Sequence, residues 1–76
     1  MTIQILGPGC EKCRQLAENT TIAACDLAID FELEKITDIL RIIEFGAMAT
    51  PALAVDGKVR LMGKVASPAE IRELLR

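Results

Sequence analysis

Two cysteines separated by two residues, Cys10-Glu11-Lys12-Cys13, are the part of this 76-residue chain whose residue types and spacing can do chemistry. They follow an apolar, β-rich stretch, residues 2–6, and a break at Gly7-Pro8-Gly9; a helical pattern begins at Glu11. Three-residue spacing on the first turn of a helix brings two sulfurs within bonding reach. The helix N-terminus adds unpaired backbone N–H groups and the positive end of the dipole, and both stabilise a thiolate, the reactive form of cysteine. The first cysteine, at or just before the helix cap, is the more exposed. The second turns onto the face shared with Leu16 and Ala17. Cys10 is therefore the better nucleophile and Cys13 the resolving thiol of a dithiol–disulfide pair. Lys12 would favour the Cys10 thiolate and Glu11 would oppose it.

A cysteine pair is also half of a zinc site, so the rest of the composition has to decide. The chain has no histidine, and Cys25 is its single further thiol. On a straight helix Cys25 lies ~18 Å beyond Cys13 at 1.5 Å per residue, which argues against a closed zinc site within one chain. A soft-metal or metalloid carrier is the sharper rival, because small domains with a cysteine pair after their first strand also ferry such ions. A carrier of the ferredoxin-like type would have the order β-α-β-β-α-β. Cys25, beside Ala23, Ala24 and Leu27, reads as a small buried hydrophobe. The net charge of −2 argues against nucleic acid, which calls for a basic face. No apolar run approaches the ~20 residues of a membrane span, and the N-terminus lacks the basic start and apolar stretch of a signal peptide. The expected setting is the cytoplasm, and the expected organisation one domain over residues 1–76.

The elements that must position the cysteines follow from periodicity. Cys13, Leu16, Ala17, Thr20, Ala24 and Leu27 share one helical face, with Ile22 opposite and a possible bend at Thr20-Thr21. Residues 30–36 alternate as a half-buried strand, with Phe31 and Leu33 on one face and Glu32 and Glu34 on the other. Thr37 is expected to cap a short helix whose buried stripe is Ile39, Ile42 and Ile43 and whose stop is Gly46. Residues 47–50 form a loop before Pro51. Residues 52–55 and 58–62 are strands joined by Asp56-Gly57, a strong hairpin signal. Lys58, Arg60 and Lys64 keep an edge strand soluble, and Met48 and Met62 read as packing residues, Met48 with a place at the border of the site. Ser67-Pro68-Ala69-Glu70 combines an N-cap, a proline at the first helical position and a capping-box glutamate, and Ile71, Leu74 and Leu75 follow as an apolar stripe. The order is β-α-β-α-β-β-α: a mixed four-stranded α/β sheet with helices on both faces, its first crossover right-handed and parallel.

Pro51 opens the strand expected beside the first one. A cis bond at Thr50-Pro51 would turn the loop against the cysteine pair and leave the Thr50 backbone open to an extended peptide, in the manner of strand addition.

These residues resemble the small prokaryotic thioredoxin-like proteins known as redox-active disulfide proteins. The likeness rests on Ile3–Leu6 leading into Gly7-Pro8-Gly9-Cys10-Glu11-Lys12-Cys13, on Thr50-Pro51-Ala52-Leu53-Ala54-Val55-Asp56-Gly57, and on Met62-Gly63-Lys64-Val65-Ala66-Ser67. It covers essentially the whole chain. It implies a minimal thioredoxin fold, a dithiol–disulfide site at Cys10 and Cys13, and a cis-proline at Pro51. Gly9 stands where ordinary thioredoxins carry tryptophan, and Glu-Lys replaces their Gly-Pro between the cysteines. The stretch Val65-Ala66-Ser67 lacks the acidic residues with which glutaredoxins hold glutathione.

The expected activity is thiol–disulfide exchange with a disulfide-bearing protein or small molecule, with Thr50 and Pro51 positioning the substrate. It needs no cofactor and no metal, only an electron donor resembling thioredoxin reductase. A thiol-based metal or metalloid carrier and a redox-sensing interaction module are the alternatives.

Overall fold

Both faces of the first strand are buried, which makes it a central strand, and the other elements arrange themselves around it. The computed structural model describes residues 1–9 and 11–76. The element order is β1 (Thr2–Leu6), α1 (Glu11–Asp26), β2 (Glu32–Ile36), α2 (Ile39–Glu44), β3 (Ala52–Val55), β4 (Lys58–Met62) and α3 (Pro68–Leu75). The strands form one sheet in the order β2-β1-β3-β4. β1 runs parallel to β2 and antiparallel to β3, and β3 runs antiparallel to β4 with a bulge at Leu53/Ala54. The mixed four-stranded sheet with helices on both faces is the minimal thioredoxin architecture expected.

Side-chain alternation along β1 divides the core in two. Ile3 and Ile5, with Leu53 of β3, pack against Leu16, Ala17, Ala23 and Ala24 of α1 and Ile71 and Leu75 of α3. Leu6, Ala52 and Ala54 face the other way, onto Ile36, Ile42 and Ala47. The first layer is pinned at two further points. Asn19 Nδ2 donates to the Ala66 carbonyl at 2.9 Å, and Arg72 pairs with Asp26 at 2.8 Å. Thr20 and Thr21 return their hydroxyls to the Leu16 and Ala17 carbonyls, so α1 runs unbroken through the β-branched pair.

Asp56 and Gly57 adopt φ of 50° and 86°, the left-handed pair that a two-residue hairpin requires. This turn is tied to the start of β1: the Thr2 N–H donates to Asp56 Oδ1 at 2.8 Å, and the Gly57 N–H to Gln4 Oε1 at 3.3 Å. At α3 the capping box forms as expected, with Ser67 Oγ accepting from the Glu70 N–H and Glu70 reaching back to the Ser67 N–H. Lys64 adds an ion pair to Glu70 at 2.7 Å. The Lys64 hydrogen bond, then the Ser67 N–H, hold the Glu70 carboxyl below the ordinary glutamate range. A carboxyl with a lowered folded-state pKa contributes stability that is fully present above its unfolded pKa and is lost as pH falls through the lower folded value. The cap therefore weakens in acid. Ser67→Ala is expected to remove about 1 kcal/mol, lowering the thermal midpoint by roughly 4–8 °C in a domain of this size, as circular dichroism melting would read.

Four sequence expectations change. Asp38, not Thr37, caps α2, because its carboxylate Oδ1 accepts from the Leu40 N–H at 3.0 Å. The α2 stripe does not bury: Ile42 is covered, but Ile39, Leu40 and Ile43 are 70%, 66% and 63% exposed. A six-residue helix is under two turns long and presses one side chain onto its layer. Cys25 is exposed, because α1 buries residues 13, 16, 17, 20, 23 and 24, and the next position turns about 100° away. Met48 and Met62 are exposed rather than packed, Met48 almost fully, at 92%.

Candidate active site

The end of β1 delivers the chain to the start of α1 at Gly7. Its N–H donates to the Ile36 carbonyl at 3.0 Å, extending the parallel ladder one residue past β1. Gly7 is buried, while Pro8 and Gly9 are exposed. Cys10 lies outside the described residues, so the sequence expectations on its exposure and its role stand as expectations. Cys13 is buried, 5% exposed, on the α1 face that carries Leu16 and Ala17.

Gly7 is a site residue that sequence reading took for a chain break. A Cβ built there would collide with Cys13 Sγ, and would stand 3.5 Å from the Cys13 Cβ and 3.8 Å from the Thr50 Cβ. The absence of a side chain thus makes the space that the Cys13 sulfur fills, and the same spot brings the loop before β3 up to α1. The available signal was the glycine itself, next to a cysteine pair. The distance to Sγ depends on how α1 lies across the strand.

The Thr50–Pro51 peptide bond is cis. Pro51 is buried and its carbonyl accepts from the Gly63 N–H at 2.9 Å, while Thr50 is exposed. Loop 47–50 and α2 border a shallow apolar trough of Ile39, Ile43, Met48 and Thr50, so two of the side chains that α2 leaves uncovered, Ile39 and Ile43, lie beside the candidate substrate-positioning threonine.

The first turn of α1 carries both charges. Arg14 holds Glu11 through contacts of 2.6 and 2.7 Å to its two oxygens. That hydrogen bond, followed by the attraction of Glu11 and Glu18, raises the Arg14 pKa. The Glu11 charge that sequence reading set against Lys12 is thus matched locally, although an exposed pair of this kind is weak. Among the described residues no three His, Cys, Asp or Glu side chains gather as a metal site would need, and no helix is long and apolar enough to cross a membrane.

A family model described as a thioredoxin domain matches residues 1–76. A curated protein named thioredoxin from Methanothermobacter thermautotrophicus is 48% identical over 75 residues, covering 99% of this chain and 97% of that protein. Another named thioredoxin, from Methanocaldococcus jannaschii, is 41% identical over 76 residues, covering all of this chain and 87% of that protein.

Proposed function

Because this chain belongs to the thioredoxin family and is a thiol–disulfide oxidoreductase, we propose that Cys10 supplies the attacking thiolate and Cys13 the resolving thiol. In the reductive direction the Cys10 thiolate attacks a substrate disulfide, forming a mixed disulfide and expelling one substrate thiolate. Cys13 then attacks the Cys10 sulfur, expels the second substrate thiolate and closes the protein disulfide. The observation that carries this reading is the buried Cys13 on the first turn of α1, set against a side-chain-free Gly7 with Thr50 beside it. A resolving thiol has to be shielded from solvent and outside reagents yet near its partner, and three-residue spacing on one helical turn meets both needs.

Thr50 and Pro51 position the substrate. The exposed Thr50 backbone makes no hydrogen bond among the described residues, which leaves it open to an extended segment, and the apolar trough beside it suits a protein substrate. The electron donor is a reductase of the kind that serves thioredoxins, the setting is the cytoplasm, and the residues 1–76 act as one domain.

The test is reduction of insulin disulfides with dithiothreitol as donor. The intact protein is expected to accelerate precipitation of the insulin B chain. Cys10→Ser is expected to return the rate to that of dithiothreitol alone. Acceleration that survives Cys10→Ser would transfer the nucleophilic role elsewhere.

A further inference from the structure

On the β2 side of α1, away from Pro51, a cleft of about 160 Å³ opens against Cys13. Its walls include Gly7, Gly9, Arg14, Lys35 and Thr37. Gly9 is the sequence neighbour of Cys10. Two of the walls are glycines and carry no side chain. Lys35 reaches the cleft because the parallel register sets it opposite Ile5, on the α1 side of the sheet, whereas Glu34 pairs with Gln4 and faces the other layer. Past Arg14 and Lys35 the cleft continues into a shallower trough between α1 and β2, lined by Ala17, Glu18, Thr21, Ile22 and Leu33.

The charges at the mouth are unequal in their freedom. Arg14 is taken by Glu11 and feels Glu18. Lys35 has no ion pair among the described residues. A cation without a counterion therefore stands beside the resolving cysteine, on a chain whose net charge is −2.

We infer that this cleft selects low-molecular-weight disulfides bearing an acidic group, with the acid held at Lys35 and the organic arm lying along the α1–β2 trough. The inference rests on the proposed oxidoreductase site and names a substrate class for it. For a symmetric disulfide RS–SR, Cys10 thiolate attack forms Cys10–S–SR and releases RS⁻. Cys13 attack then forms the Cys10–Cys13 bond and releases the second RS⁻. Two electrons pass from protein to substrate, and the two thiol protons finish on two RSH products.

Three disulfides with matching two-carbon arms separate this idea from the pull of the whole protein: dithiodipropionate (anionic), bis(2-hydroxyethyl) disulfide (neutral) and cystamine (cationic). Each is reduced in a single turnover by the pre-reduced protein at pH 7, its rate divided by its rate with dithiothreitol to remove intrinsic reactivity. A field set by the net charge favours cystamine. The Lys35 cleft favours dithiodipropionate, by about threefold to tenfold over cystamine at low salt, with the margin shrinking at high salt. Lys35 is an exposed residue of an edge strand, so its variants keep the fold. Lys35→Glu is expected to reverse the order of the charged pair, each rate read as a ratio to that of the neutral disulfide with the same variant.

An order with cystamine first in the wild type, or an order unmoved by Lys35→Glu, would overturn the inference. Equal slowing of all three by Lys35→Gln would also overturn it, because Lys35 would then act through the Cys13 thiol and not on the substrate. If the reduced protein fails even with the neutral disulfide, the oxidoreductase site itself is wrong and the substrate class falls with it.

Discussion

With Cys13 replaced by serine, the protein is expected to stall as a mixed disulfide on Cys10. The first half of the reaction needs only the Cys10 thiolate and a substrate, and both remain. The second half loses its intramolecular nucleophile. Well-oriented groups on one molecule act at effective concentrations that reach about 10⁵–10⁸ M, whereas an external thiol at ~1 mM acts at its own concentration. Even if α1 realises only a small part of that advantage, resolution should slow by about 10³-fold or more. Mass spectrometry of Cys13→Ser mixed with a disulfide-bearing protein should show a covalent adduct that persists without added thiol and disappears with dithiothreitol. Cys10→Ser should give little adduct, because Cys13 is buried, 5% exposed, and out of reach of a bulky protein disulfide. Comparable adducts from both variants would remove the asymmetry between the two cysteines.

Gly7→Ala is expected to destabilise the protein by roughly 1–3 kcal/mol, the usual effect of an added methyl in a packed site. In a chain of this size that is a fall of about 4–24 °C in the thermal midpoint. The collision is with Cys13 Sγ, and the strand end cannot retreat without giving up the Gly7–Ile36 hydrogen bond. Gly7 is outside the left-handed region, so backbone strain is not the cause. The effect should therefore depend on the sulfur. In a Cys13→Ala background the remaining neighbours are the Cβ of residue 13 at 3.5 Å and the Thr50 Cβ at 3.8 Å, both ordinary contacts. There Gly7→Ala should be close to neutral, or stabilising by about 0.4–1 kcal/mol through the narrower unfolded ensemble. A double-mutant cycle followed by urea unfolding measures the difference as a coupling energy. Equal losses in both backgrounds would show that Gly7 serves the backbone and not the cysteine.

The order β-α-β-α-β-β-α was legible because each of its signals is local. Alternation marks the strands, Asp56-Gly57 supplies the two left-handed residues of a hairpin, and Ser67-Pro68-Ala69-Glu70 satisfies the orphan N–H groups of α3. The inward face of α1 was legible for the same reason, since the 3.6-residue period places Cys13 with Leu16 and Ala17 whatever the helix packs against. The likeness to thioredoxin-like proteins likewise came from contiguous motifs.

What the tertiary structure decided was everything that depends on a second element. Periodicity groups Ile39, Ile42 and Ile43 on one side of α2, but how much of that side is covered depends on the small layer of Leu6, Ala52 and Ala54 beneath it, and only Ile42 reaches cover. Cys25 lies among apolar neighbours in sequence, yet its exposure is set by where α1 rests on the sheet and on α3. Gly7 and Lys35 gained their places from packing alone. Gly7 matters because α1 crosses the end of β1 with the Cys13 sulfur beside it, and Lys35 because parallel pairing with Ile5 turns it toward that helix. A single strand carries the alternation of its side chains but not the identity of its neighbour. The cleft beside Cys13 therefore exists only once β1, β2 and α1 are assembled.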